Sequence, residues 1–302
     1  MEKTALPHEL VIELLDHARK FMKEAQGTAP CIASGNLVAH EFPDRSKVRN
    51  FSTITRLVTL ANGLKIFLIY RYPRSWIHSV TDNLLSRWPG GIPATKPFRL
   101  STWKAIFKAK SRIQVIDLEP FVPVVAMPYI PNFNLWDVLQ NDAGRLGWPQ
   151  KMKALQNCCV QINEMHDAGT TWGQLIVHNI ILHEQTLEPS ICDTEVTYWK
   201  RVPLHRQRMF DWFQFIFSAA GSYRDPSGDQ TKTAKVQEEI ARELMSYIKD
   251  ADVRKALIAY CRKWRLCGQL SLLQLICSAG FLGSIGCNVS NYGLIRRAIA
   301  SL

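Results

Sequence analysis

The chain has 302 residues, 47% of them apolar and 21% charged, with 37 Lys and Arg against 26 Asp and Glu, for a formal net charge of +11. This composition excludes an extensively disordered chain and is sufficient for two ordinary domains, or one domain of two lobes. The charge points to an anionic partner and fits nucleotide, phosphosugar, acidic lipid headgroup and nucleic acid alike.

The N-terminus, "MEKTALPHELVIELL", carries acidic residues early and has no cleavable signal pattern. From 8 to 26, apolar side chains recur at Leu10, Val11, Leu14, Leu15, Ala18, Phe21, Met22 and Ala25, which predicts an amphipathic helix within an N-terminal extension, 1–36. Acidic and basic residues mix on its polar side, which favours docking on its own domain over lying on a membrane. The reading changes to strands over 37–72, where "FSTITRLVTLANGLKIFLIYRY" is two β-rich runs with Asn62-Gly63 as a hairpin turn. Prolines at 73, 89, 93 and 97 and the Gly90-Gly91 pair make 73–97 an irregular connection. "LSTWKAIFKAK" then predicts a short basic helix, and "PFVPVVAMPYIPN" a strand running into a linker broken by Pro128 and Pro131.

Beyond Asn132 the chain is expected to be mainly helical, with helices over 150–168 ending at Gly169, at "RMFDWFQFIFSAAG" and over 233–264. From Leu266 to Ile295 no residue is charged, yet five Gly, four Ser, two Asn and two Gln interrupt the stretch. A buried terminal helix pair is the expectation there, with a lipid-facing helix and a membrane span as rivals. The cysteines, at 31, 158, 159, 192, 261, 267, 277 and 287, form no Cys-x-x-Cys pair, so reduced core thiols in a cytosolic protein are expected rather than a zinc ribbon or a dithiol site.

The polar pattern that carries information follows the 150–168 helix. In "EMHDAGTTWGQLIVHNIIL", Gln174 and Asn179 lie five residues apart inside an apolar frame, and Asp193 of "ICDTE" comes fourteen residues later. This arrangement is similar to the "LHxxGxxHGDLxPxNILL" loop of small atypical kinases, including bacterial lipopolysaccharide-core sugar kinases. The resemblance implies an α+β, two-lobed protein-kinase-like fold. Its small β-rich N-lobe would be 37–130, and its larger helical C-lobe 131–302. Gln174 then stands at the catalytic Asp position, and Asn179 and Asp193 at the metal-binding positions. Met127, Pro128 and Ile130 stand at the hinge that contacts adenine, and Asp211 where a helix carboxylate accepts from the catalytic-loop backbone. The cofactors implied are Mg²⁺ and ATP, since an amide oxygen and a carboxylate are hard ligands that suit the ion.

Several residues depart from that pattern. Gln174 is neutral and cannot accept a proton from a substrate hydroxyl. Ile69 and Tyr70 occupy the step of "KIFLIYRYP" where a phosphate-binding Lys is expected, with Lys65 and Arg71 out of phase. Lys104 and Lys108 stand where a partner Glu is expected, and "DRSKVRNFS" replaces a Gly-rich loop. A pseudokinase with a regulatory or scaffold role is therefore the expectation, binding nucleotide weakly or not at all. An active kinase for a sugar or glycolipid hydroxyl, with Glu195 as a surrogate base, is the rival. A membrane-associated interaction protein is a third reading. The partner would be a protein or an anionic membrane or glycolipid surface, at the inner face of a membrane if peripheral. Nucleic acid is not expected, because no known module accompanies the charge. Plainer roles stay open: Asn179 as a loop cap, Asp193 as a turn residue paired with a cation, and His166, His178 and His183 as helix-end or surface side chains.

Overall fold

A computed structural model describes residues 7–26, 47–49, 53–71, 95–96, 124–129, 132–140, 146–173, 175–191, 197–198, 202–263 and 289–302. They fall into two units, one holding the described residues from 7 to 71 together with 124–129, the other holding the rest.

In the first unit, helix α1 (His8–Gln26) packs on a sheet. Leu14, Ala18 and Phe21 recur at helical spacing and are all buried, against Val58, Leu60, Ile66, Leu68, Tyr70, Val124 and Ala126. Each large side chain so removed from water contributes about 1.5–3 kcal/mol. Polar contacts fix the rim. The Glu13 carboxylate accepts from the Ala61 N–H at 2.9 and 3.2 Å, and Arg56 pairs with Glu24 while lying 5.1 Å from the Phe21 ring centre. The amphipathic helix thus docks on its own sheet.

That sheet is antiparallel in the order β1 (Lys47–Arg49), β2 (Thr53–Thr59), β3 (Lys65–Arg71) and β5 (Val124–Pro128). The Asn62-Gly63 hairpin forms as the sequence predicts. Gly63 takes φ +83°, and Asn62 Oδ1 accepts from the Leu64 N–H at 3.0 Å. Strand alternation sends Ile66, Leu68 and Tyr70 under α1. Lys65, Phe67 and Ile69 take the other face, in register with Met127 and Val125. Pro128 is the last residue of its strand, where the sequence leads one to expect the linker to begin. It stands opposite Ile66, and the ladder runs on to Tyr129, whose N–H reaches Lys65 O at 2.8 Å. A proline is tolerated where its missing N–H is not asked to pair with the neighbouring strand.

The second unit is mainly helical: α2 (Leu135–Gln140), α3 (Trp148–Asp167), α4 (Leu204–Ser222), α5 (Gln230–Ser246), α6 (Ala251–Lys263) and α7 (Val289–Ala300). Two small sheets escaped the sequence reading: β6 (Asn132–Asn134), β7 (Ile180–His183) and β8 (Pro189–Ile191) form one, and β4 (Thr95–Lys96) with β9 (Thr197–Tyr198) the other. Their strands of two to four residues are too short to show a period. The helical stretch expected over 233–264 is divided between α5 and α6, because Asp250 caps a fresh start. Its Oδ1 accepts from the N–H groups of Asp252 and Val253 at 2.9 and 3.2 Å.

Helix α4 is the centre of this core, buried from Met209 to Trp212 and from Phe215 to Ser222. Helix α7 adds Ile295 and Ile299 to the same core, as the buried-helix expectation has it for this part of the uncharged stretch. Among the described residues, no helix is long and apolar enough to cross a membrane. The predicted basic helix at 101–110 and most of the uncharged stretch, 266–288, lie outside the described residues. The chain is thus α+β, with an N-terminal helix, a strand-rich unit and a helical unit, an order consistent with a kinase-like fold.

Candidate functional site

The end of α3 sets the geometry of the loop that follows. Gly169 adopts φ +74°, its N–H reaches His166 O at 2.9 Å, and the Thr170 N–H reaches Met165 O at 3.0 Å. This is a Schellman termination, and only a residue at ease in the left-handed region closes it without strain. The chain then enters the stretch 171–179 alongside α4.

One stripe of α4 receives that loop. Gln207, Asp211, Gln214 and Ser218 are spaced four, three and four residues apart, and therefore share a helix face. Asp211, fully buried, accepts from the backbone N–H of Trp172 at 2.7 Å and of Gly173 at 2.8 Å, and His166 Nε2 donates to it at 3.1 Å. Gln214 Oε1 accepts from the Leu175 N–H at 3.0 Å, and Ser218 Oγ from the Val177 N–H at 3.2 Å. Thr171 donates its hydroxyl to Gln207 Oε1 at 3.0 Å. Arg208, one position off the stripe, donates to His166 O and to Asp250 at 3.4 Å, which ties the end of α3 to the start of α6.

The arrangement satisfies buried backbone donors that neither helix nor strand employs, and each would cost about 1–3 kcal/mol if left unpaired. Of the stripe, sequence reasoning singled out Asp211 alone. The signal for the others was present: polar residues at helical spacing inside an otherwise apolar helix.

At the far end of the loop, Asn179 closes a 3₁₀ turn, Val177–Asn179, half-buried, with its N–H on Ile176 O at 2.9 Å. The turn is braced from α2. Asn134 caps that helix by accepting from the Trp136 N–H at 2.8 Å, and its amide donates to His178 O at 2.9 Å. The Trp136 and His178 rings stack with centres 4.9 Å apart. Burial lowers the His178 pKa to about 4, so its imidazole is neutral near neutral pH. Ile180 stands opposite Ile191 across β7 and β8. Asn179 therefore precedes, and the chain toward Asp193 leaves, the same end of this hairpin. An amide oxygen and a carboxylate there would be a hard donor set, suited to Mg²⁺ rather than to a softer metal. Among the described residues, no three His, Cys, Asp or Glu side chains cluster as a metal site would require.

Gln174, Asp193, Glu195 and Ile130 lie outside the described residues. Of the hinge residues, Met127 is buried in β5, and Pro128 follows it in the ladder with a backbone that offers no N–H. The Tyr129 N–H is already committed to Lys65 O. On β3, Ile69 and Tyr70 are both buried, the latter beneath α1. His166 stands in the last turn of α3, as the helix-end expectation has it, and is buried against Asp211, whereas His183 is exposed.

No family model matches the chain, and no curated protein matches it. Among solved structures it is similar to an apo pseudokinase, at 13% identity over 83% of this chain and 86% of that chain, with a TM-score of 0.34. A likeness that loose transfers nothing about activity, so any reading of the site depends on this chain's own residues.

Proposed function

We propose that this is a kinase-like protein that keeps the framework of a catalytic loop but has lost ordinary phosphotransfer, and that it acts as a regulator or scaffold. One observation carries the reading. The loop is pinned on both sides of position 174, through Gly173 to Asp211 and through Leu175 to Gln214, yet residue 174 is a neutral amide. A framework of this kind stabilises the geometry a general base would need, and the base itself is missing. Such assistance is worth roughly 10²–10⁴ in rate. The strand-rich unit supports the same reading, because buried Ile69 and Tyr70 offer no cation to a phosphate. Asn179 and Asp193 would hold Mg²⁺, which when bound supplies charge neutralisation to a nucleotide's phosphates.

The test is calorimetric titration with ATP and Mg²⁺, run beside phosphotransfer assays on sugar and glycolipid acceptors. Weak or absent nucleotide binding and no turnover are expected. Robust turnover, abolished by Asp193→Ala and by Glu195→Gln, would instead establish an active atypical kinase with Glu195 as base.

A further inference from the structure

The positive charge of this protein is concentrated at one end. After Asp252 no Asp or Glu occurs up to residue 302, while Arg254, Lys255, Arg262, Lys263, Arg265, Arg296 and Arg297 do. These seven cations, unopposed, supply most of the formal +11. Helices α6 and α7 bring the two ends of this acid-free region together. Arg262 Nε donates to Ala300 O at 2.9 Å, and Arg296 donates to Cys261 O at 3.0 Å. The pair turns Val253, Leu257, Cys261, Ile295 and Ile299 into the core and leaves Arg254, Lys255, Arg262 and Arg297 exposed. Neighbouring α5 contributes Glu238, Glu239 and Glu243, but Glu238 is occupied by Arg242 at 2.8 Å.

We propose that the exposed cations of α6 and α7 dock this protein on an anionic membrane leaflet. Charge complementarity is the first reason: these two helices carry Arg254, Lys255, Arg262, Lys263, Arg296 and Arg297 against a single carboxylate, Asp252 in the first turn of α6, so the excess of like charge repels itself in water and an anionic surface relieves that repulsion. The second concerns which anionic surface. The described aromatic of α6, Tyr260, packs on Phe210 and Phe213 at 5.4 Å each, so it is not presented as a stacking platform for bases. The 25 residues joining the helices, 264–288, carry one charge, Arg265, and are rich in Leu and Ile, a composition compatible with a lipid interface and unlike a nucleic-acid-binding segment. This docking does not depend on the loss of phosphotransfer proposed above.

The experiment is cosedimentation of the full chain with phosphatidylcholine vesicles, with and without phosphatidylserine, at low and high salt. Binding is expected only with phosphatidylserine and should fall away as salt rises. Arg254→Gln, Lys255→Gln and Arg297→Gln should each lower partitioning about five-fold, and the three together by on the order of a hundredfold. A control removes three cations of α1 in the same way (Arg19, Lys20 and Lys23), and its binding should stay near that of the parent. Unchanged thermal midpoints will show that both triple variants fold. No binding to phosphatidylserine vesicles, equal losses from the two triple variants, or displacement from vesicles by single-stranded RNA would each overturn the proposal.

Discussion

Helices α1 and α4 both hold other parts of the chain in place, and they do so with opposite chemistry. Helix α1 presents an apolar stripe to a sheet and its charges to water, so its job is written in the contrast between its two sides. Helix α4 is buried on nearly every side, and its polar stripe faces not water but a loop, chiefly that loop's backbone N–H groups, with His166 and the Thr171 hydroxyl as side-chain donors. On a surface helix polarity marks where solvent is. On a buried helix it marks what the helix is holding. The first kind of attachment rests on area removed from water and adapts to changes in shape. The second rests on individual donors and acceptors, and it fails locally when one of them is removed.

The contrast is sharpest at Asp211. Asp211→Ala strands the Trp172 and Gly173 N–H groups and the His166 donor in a buried site, and we expect a loss of about 3–5 kcal/mol in denaturant unfolding. Amide exchange should accelerate first at Trp172 and Gly173. Uniform acceleration along α4 and the loop would show that the stripe acts only as general core. Phe21→Ala tests the other kind of attachment. Removing this buried ring from under Arg56 should cost about 3 kcal/mol, spread as faster exchange over β2 and β3 rather than confined to single amides. A change confined to one or two amides would contradict the area-based account of α1.

The same contrast explains how much the sequence revealed. α1, the Asn62-Gly63 hairpin and the Gly169 terminus were legible because each is a local rule: helical period, turn chemistry, a left-handed glycine. Of the loop's anchorage, only Asp211 stood out. Gln207, Gln214 and Ser218 look like tolerated polar residues in an apolar run, and what they accept from lies more than thirty residues away in the chain. The three-stranded sheet β6–β7–β8 was hidden for a different reason, since its strands are set by pairing register and not by their own pattern. Asn134 shows both effects. It reads as one more polar residue in a linker, yet it caps α2 and braces the turn that carries Asn179.

That brace leads to a further expected effect, which concerns pH. The His178 pKa falls from an ordinary 6.5 to about 4 because its ring is buried against Trp136. In the unfolded chain the imidazole takes up a proton as pH drops through about 6.5, whereas the folded chain refuses it until about 4. Between those values the unfolded state binds more protons, so stability should fall as pH is lowered across this window and level off below it. His178→Phe keeps an aromatic ring for the stack and removes the titration, so its stability should change less steeply over the same range. Imidazole shifts followed by nuclear magnetic resonance give the direct check. A His178 midpoint near 6.5 would mean that water reaches the ring, and that the turn bearing Asn179 is held by the Asn134 amide without help from the aromatic stack.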